Sequence, residues 1–327
     1  MKNCCFVIPY FGRFPNYFQL FLNSCKYNPD FNWLIFSDDT SFYDFPPNVR
    51  LVKMTFNELK EHVQSFFDFE IALPSPYKLC DYKPSYGYVF HEYLEDFSFW
   101  GYCDLDVIMG DLSRYLTSEV LETYDKIFCL GHMTLFKNTE ENNRLFMYEF
   151  NGQMLYKRAF TTENIVTFDE EWRDENNINQ MFLGEGKKVF MADYSMNPSI
   201  SYNDFIRVRY VGRIESANSH GYEIEQRKKA LYTWERGHVF RYFLEEQKLQ
   251  KEEFIYMHFQ TRRMKLDKSV LVLDRLKIIP NKFLPLEVEK VTENNFHQIK
   301  KNGLCFHVQE HRWLSLKKKM RKLFCHA

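Results

Sequence analysis

Phe97-Ser-Phe-Trp-Gly-Tyr-Cys103-Asp104-Leu-Asp106 decides how the rest of this 327-residue chain is read. Residues 97–102 form an aromatic-rich apolar run, short enough for a strand buried on both faces, and two carboxylates follow just beyond its end. In open α/β sheets, ligand sites collect at the carboxyl ends of strands. Upstream, runs at 4–9, 33–36 and 49–52 read as strands, with helices expected over 17–27 and 55–66. The run at 33–36 ends at Ser37-Asp38-Asp39, so a second acidic cluster also occupies a strand end. This alternation implies an α/β fold with a mixed sheet flanked by helices.

Pro84 suits the first turn of a helix over 83–94. Strands are expected at 127–130, 133–136, 207–211 and 254–258, and a helix over 140–150. Runs 230–234 and 238–243 predict a hairpin around Glu235-Arg236-Gly237. Residues 151–204 read as loops and short helices. Beyond Arg263 the composition becomes mixed and Lys-rich, which sets an expected boundary: one domain over 1–263, and an extension over 264–327 with a basic amphipathic tail.

Hydrophobic residues make up 45% of the chain, enough for a large core, and 33 Phe and 21 Tyr supply rings for packing or for a ligand wall. A formal net charge of -1 gives no global field for nucleic acid. The exception is local. Lys317-Lys318-Lys319-Met320-Arg321-Lys322, with Trp313, Leu314, Leu316, Leu323 and Phe324 around it, fits either a solvated terminus or a helix on an anionic membrane surface. Eight cysteines are scattered without a C-x-x-C pair, Met1-Lys2-Asn3 leads directly into a strand-like run, and no apolar stretch is long enough to cross a bilayer. The expectation is a reduced, cytoplasmic protein, peripheral at most to the inner face of the cell membrane.

Asp104 and Asp106 are hard oxygen ligands, suited to Mg²⁺ or Mn²⁺ that fills its shell with phosphate and water. Taken alone, such a pair is more often a turn or cap. Asp104-Leu-Asp106-Val107-Ile108 also fits the nucleophile loop of haloacid-dehalogenase-like phosphatases, but that family adds its acidic pair later, whereas Asp38-Asp39 comes earlier. His307-Val-Gln-Glu310-His311 matches an inverted zinc-protease pattern by chance, because too little chain follows for a further ligand.

Set in order, Lys78-Leu-Cys-Asp81-Tyr82-Lys83-Pro84-Ser-Tyr86-Gly87, then Gly101-Tyr-Cys-Asp104-Leu-Asp106, then Ile255-Tyr-Met-His258-Phe-Gln260, resemble bacterial GT-A glycosyltransferases, including those of capsule and surface-polysaccharide clusters. The resemblance spans roughly residues 3–263. It implies a GT-A-like fold and a sugar moved from a nucleotide-sugar donor, a UDP-sugar first among them, to a surface-glycan or lipid-linked saccharide acceptor. It further implies Asp106 and His258 as ligands of Mn²⁺ or Mg²⁺, with Asp104 on the metal or the ribose. Asp39 and Tyr10 would lie near the nucleoside, Asp81 at donor-sugar hydroxyls, and Lys78 or Lys83 at the diphosphate or sugar. On residue chemistry, Asp81 needs a partner if buried, and His258 alone reads as a core histidine. Asp169 or Glu170 is a candidate general base for an inverting reaction, and Trp172 or Trp234 a candidate sugar platform. An inactive glycan- or partner-binding relative of the same fold remains the alternative from another class.

Overall fold

The computed structural model describes residues 2–172, 176–212, 214, 217–260 and 262–324, and only the backbone of residues 2, 3 and 318–324. Strands β1 (Lys2–Pro9), β2 (Phe31–Ser37), β3 (Val49–Lys53) and β4 (Phe97–Cys103) run parallel, with helix α1 (Phe18–Lys26) linking the first two. β5 (Val107–Met109) leaves this sheet. β6 (Lys126–Leu130), β7 (Met133–Lys137) and β8 (Val189–Phe190) complete the order β3-β2-β1-β4-β7-β6-β8, with β7 antiparallel to both neighbours. The expected α/β class, a mixed sheet flanked by helices, holds.

Strand side chains alternate between the two faces, and both faces are covered. Cys5, Val7, Leu34, Phe36, Trp100 and Tyr102 enter one core, whereas Cys4, Phe6, Trp33, Ile35 and Phe99 enter the other. Helix α2 (Phe56–Gln64) starts at a capping box, in which Thr55 accepts from the Glu58 amide and the Glu58 carboxylate accepts from the Thr55 amide.

The second half adds the short pair β9 (Val208–Tyr210) and β10 (Tyr222–Ile224), then β11 (Leu231–Glu235), β12 (His238–Glu245) and β13 (Lys248–Phe254). β14 (Tyr256–His258) follows, then β15 (Lys265–Leu266), β16 (Arg275–Ile279) and β17 (Lys282–Pro285). The predicted hairpin is present: Arg236 and Gly237 both take positive φ in the two-residue turn between β11 and β12. A six-stranded sheet, β13-β12-β11-β16-β17-β15, draws strands from both sides of residue 263, with β11 paired directly to β16. A third core, including Tyr17, Trp234, Phe243, Met257 and Phe283, joins this sheet to α1.

Two local expectations are corrected. Residues 254–258 are not one strand: Phe254 ends β13, whereas Tyr256 begins β14, which pairs antiparallel with β5. Residues 83–94 do not form one helix. A 3₁₀ helix over Pro76–Ser85 passes into a single α-turn, Tyr86–Val89, and a further 3₁₀ turn, His91–Tyr93. The same tight winding, rather than an α-helix, governs what this segment does. With three residues per turn, positions i and i+3 eclipse, so Lys78 and Asp81 meet at 2.7 Å with both side chains buried. Asp81 also accepts from the amides of Val166 (3.0 Å) and Phe168 (3.1 Å), and Lys78 donates to the carbonyl of Asn164 (2.6 Å). The pair therefore ties the 3₁₀ helix to the loop at 164–168. Gly87 then lies against the indole of Trp100, where a Cβ would overlap the ring, and this locks the segment onto β4.

Removing one partner of a buried ion pair strands the other charge, at a cost of about 3–5 kcal/mol, whereas an apolar replacement of both is far milder. Asp81→Leu should therefore destabilise the protein by about that amount in urea unfolding, and Lys78→Met/Asp81→Leu should recover the part due to the stranded ammonium, while the loss from the Val166 and Phe168 amides remains. Equal stability of the single and double variants would mean that the pair does not carry this load.

Candidate metal and donor cleft

The parallel strands β1, β2 and β4 deliver their carboxyl ends to one edge, and the loops after them build the site. Asp104 and Asp106 follow β4, as the sequence predicts. The β4–β7 ladder continues one step beyond its last pair: the Asp104 amide donates to the carbonyl of His132 at 3.1 Å, which sets His132 beside Asp104. The β5–β14 register pairs His258 with Val107, and the Phe259 amide donates to the carbonyl of Asp106 at 2.8 Å. Two short ladders thus bring a histidine from late in the chain to a pair of aspartates from its first third.

His258 Nε2 stands 3.2 Å from Asp106 Oδ1 and 3.9 Å from Asp104 Oδ2. One ligand atom from each of the three residues lies within 4.8 Å of the others. Two donor atoms bound to one small divalent ion sit at most about 4.2 Å apart, and both histidine–carboxylate separations fall inside that limit. The other imidazole nitrogen, Nδ1, faces Asn197 Oδ1 at 3.1 Å, and Gln260 Nε2 donates to the same oxygen at 2.7 Å. With Nδ1–H donating to Asn197, the lone pair of Nε2 points at the carboxylates, the outer-shell arrangement that orients a metal-bound histidine. Burial disfavours the imidazolium, but Asp106 and then Asp104 outweigh it, so the pKa of His258 is raised. Among the described residues Asp111, His238 and Glu253 also cluster, but Arg114 already neutralises Glu253 there at 3.3 Å.

Two chambers meet at Asp104 and Lys83. One, of about 650 Å³, is lined by Tyr10, Tyr17, Asp104, Asp106, Gln260 and Arg263, among others. The other, of about 490 Å³, is lined by Tyr77, Lys83, Gly131, His132, Asp169, Glu170 and His258, among others. Lys83 Nζ donates to Asp104 at 3.0 Å and to the Gly131 carbonyl at 2.7 Å, lies 3.5 Å from Asp169, and sits over the ring of Tyr102. Burial opposes its charge, yet Asp104 and Asp169 hold the ammonium well above the ordinary lysine range. Asp169 is itself buried. Burial pushes its carboxyl up to about 8 despite Lys83, with Glu170 adding to the rise. Glu170 accepts from the Gly131 amide at 3.2 Å, and burial raises its pKa as well. Any residue but glycine at 131 would crowd these groups, because a Cβ there falls 2.9 Å from Glu170 and 3.0 Å from Asp169. His132 is buried with Nδ1 2.5 Å from the Tyr256 hydroxyl, and its ring lies 4.6 Å from that of His258. Burial, then His258 and Lys83, push its pKa well below the ordinary value, which keeps the ring neutral.

Of the residues singled out from sequence, Tyr10, Lys83, Asp104, Asp106, Asp169, Glu170 and His258 converge on the two chambers. Lys78, Asp81 and Asp39 do not line them. Lys78 and Asp81 face each other in the core. Asp39 accepts from the amides of Phe14 and Ser41, each at 2.8 Å, and Asp38 accepts from Gly12 at 2.8 Å, so the acidic pair shapes the loop that carries Tyr10. Trp234 is buried, whereas Trp172 is 40% exposed and stacked near His220. Sequence reasoning missed Tyr77, Gln260 and Arg263. Their only signal is adjacency to Lys78 and His258, within the quoted motifs or just beyond them.

The fold and the site define a mixed α/β protein with an acidic cleft and a three-residue candidate metal centre. The chain belongs to the family of unknown function DUF6625, whose model matches residues 6–287. No curated protein sequence matches it. Among solved structures, it is similar to the galactosyltransferase LgtC in complex with donor and acceptor sugar analogs, at 12% identity and a TM-score of 0.33, over 60% of this chain and 76% of that one. It is also similar to an active-site mutant of LgtC, at 13% identity and a TM-score of 0.32, over the same shares.

A cation at His258 must displace a proton held more tightly than in a free imidazole, and a raised pKa extends that competition upward in pH. Mn²⁺ affinity measured by calorimetry is expected to rise with pH through and beyond the ordinary histidine range. His258→Ala should flatten the profile and weaken binding, and Asp106→Asn should weaken it further. A pH-independent affinity in the unaltered protein would remove His258 from the ligand set.

Proposed function

We propose that this protein is a metal-dependent glycosyltransferase of GT-A type, and that it transfers a sugar from a nucleotide-sugar donor to a saccharide acceptor. The observation that carries the reading is the meeting of Asp104, Asp106 and His258 where two chambers of about 650 and 490 Å³ adjoin, beyond the carboxyl ends of parallel strands. Those three residues would hold Mn²⁺ or Mg²⁺, which when bound neutralises the charge developing on a departing nucleoside diphosphate. The sequence resemblance supports the same assignment.

The donor, a UDP-sugar first among candidates, enters the chamber of Tyr10, Tyr17 and Arg263, where rings can stack on a base and a guanidinium can meet phosphate. Lys83 holds Asp104 and Asp169 in place at the junction between the chambers. The acceptor enters the chamber of Tyr77, Asp169 and Glu170. A carboxylate whose pKa lies near the working pH is well matched to accept the proton of an acceptor hydroxyl, which favours Asp169 as the base with Glu170 beside it. Asp81 and Lys78 serve by fixing the loop that leads to Asp169, and Asp39 by shaping the loop of Tyr10. The acceptor is a surface-glycan or lipid-linked saccharide at the cytoplasmic membrane face, approached through the basic C-terminal segment.

A panel of UDP-, GDP- and CMP-sugars, screened for Mn²⁺-dependent thermal stabilisation and then for transfer or donor hydrolysis, tests the reading. Stabilisation by one nucleotide class should vanish in Asp106→Ala. Turnover should rise with pH as Asp169 loses its proton near about 8, and Asp169→Asn should lower turnover by about 10²–10⁴-fold while leaving Mn²⁺ binding intact. Phosphate release from a generic phosphoester without any nucleotide effect would turn the assignment to a phosphatase. Oligosaccharide binding that needs neither metal nor nucleotide would turn it to a binding module.

A further inference from the structure

Away from the cleft, a cavity of about 350 Å³ opens between Asp204-Phe205, the run 227–230, Pro280 and Lys301-Asn302. Four cationic side chains line it: Arg227, Lys228, Lys229 and Lys301. Its single lining carboxylate, Asp204, is already paired with Arg227. Lys228 sits 4.0 Å over the ring of Phe243 and meets Glu252 only at 4.0 Å. Among the described residues, neither Lys229 nor Lys301 has a carboxylate at ion-pair distance. Lys301 is buried and donates to the carbonyls of Phe296 and Ile299, while nearby Lys277 is neutralised by Glu287. Burial and the charges of Lys229 and Lys277 push the Lys301 ammonium below the ordinary lysine range. The cavity is thus a cationic wall in which one lining carboxylate stands against four lining cations.

The chain beyond Lys301 is held on the rim of the same cavity. Asn281 donates to the carbonyl of Leu304, the Cys305 thiol approaches the carbonyl of Pro280 at 3.7 Å, and the Val308 amide donates to Asn203 Oδ1 at 3.0 Å. These bonds keep Leu304 and Phe306 beside the cavity although they are 84% and 59% exposed. They also fix the start of the helix His307–Phe324, whose Trp313 and Leu316 are each 58% exposed. Lys317 lies 5.0 Å over the indole of Trp313. The rest of the basic run, from Lys318 on, lies outside the described side chains. A single exposed apolar residue needs no explanation. Four large ones within a short stretch that begins at a cationic cavity form the two-part signal that holds a protein to an anionic bilayer: apolar side chains for the interface and fixed positive charge for the headgroups.

We propose that this cavity binds the phosphate of an anionic phospholipid headgroup, while Leu304, Phe306, Trp313 and Leu316 enter the interfacial layer beside it. The site rests on the proposed membrane-facing role of the C-terminal segment, and it supplies that role with contacts outside the basic run. It also lies one layer from the cleft. Arg262, which lines the larger chamber, donates to the carbonyls of Ser199, Tyr202, Asn203 and Asp204 and packs over Phe205. A single loop, over 199–204, therefore separates the proposed headgroup site from the cleft.

Flotation of the full chain with phosphatidylcholine vesicles, with and without phosphatidylglycerol, tests this directly. Binding is expected only with the anionic lipid. Each lysine near such a surface is worth about fivefold in affinity, so Lys228→Gln/Lys229→Gln should weaken binding about 25-fold. Both side chains are exposed, and unchanged Mn²⁺ binding at the cleft serves as the folding control. Trp313→Ser/Leu316→Ser tests the tail separately. If the tail variant detaches while Lys228→Gln/Lys229→Gln binds like the unaltered protein, the headgroup cavity is overturned and the tail reading stands. If only the lysine variant detaches, the cavity is supported and the tail reading falls. Thermal stabilisation by inorganic phosphate that Lys228→Gln/Lys229→Gln abolishes, with no vesicle binding at all, would make this a site for a free anion and overturn the proposal.

Discussion

Four carboxylates, those of Asp104, Asp106, Asp169 and Glu170, converge on one cleft, and their mutual repulsion would open it unless something opposed it. Two side chains do so. His258 sits between Asp106 and Asp104, and Lys83 bridges Asp104 to Asp169 while it donates to the carbonyl of Gly131. Lys83 is the more consequential, because its partners come from three separate segments: the loop after β4, the β6–β7 turn and the turn around 169. At low effective dielectric such contacts are strong but costly to desolvate. That balance explains why the lysine is held above its ordinary range while Asp169 is raised. The cleft is in effect a charge cluster with its own internal counter-ions.

Support for that cluster comes from one step deeper. The eclipsed pair Lys78–Asp81 holds the amides of Val166 and Phe168, and Asp169 and Glu170 follow immediately. The Glu171 amide then reaches the carbonyl of Cys129, and the Tyr102 hydroxyl reaches the carbonyl of Asp169. A motif that resembles a set of ligand-binding residues thus divides its labour. Lys83 faces the cleft, while Lys78 and Asp81 face the core and position the carboxylates without lining the chambers.

This division marks where the sequence was legible and where it was not. The parallel half of the sheet and its acidic strand ends could be read because buried strands leave short apolar runs with turn residues after them, as at Phe97–Cys103. The site's outline could be read because Asp104, Asp106 and His258 lie directly beyond or at the end of such runs. The burial of Lys78 and Asp81 could not be read, since charged residues three apart look alike on a solvated helix and in a tightly wound buried one. Likewise the continuous apolar run through Ile255 hides a transfer between sheets: Gly110 donates to the Ile255 carbonyl and Ile255 donates to the Tyr194 carbonyl, so its pairing is tertiary. Tyr77 and Arg263 were missed because exposed aromatic and cationic residues carry no periodic signal.

The pairing of β14 with β5 sets an order of events for the molecule. Contacts distant in sequence form late, since the intervening chain must be gathered first. A ribosome making this protein will have released both aspartates, the acidic loop and Lys83 long before His258 emerges. Until then the cleft has its carboxylates but not the imidazole that completes the candidate centre. A chain truncated between residues 190 and 258 would have every strand of its first sheet but an unfinished candidate centre, which only the arrival of His258 completes.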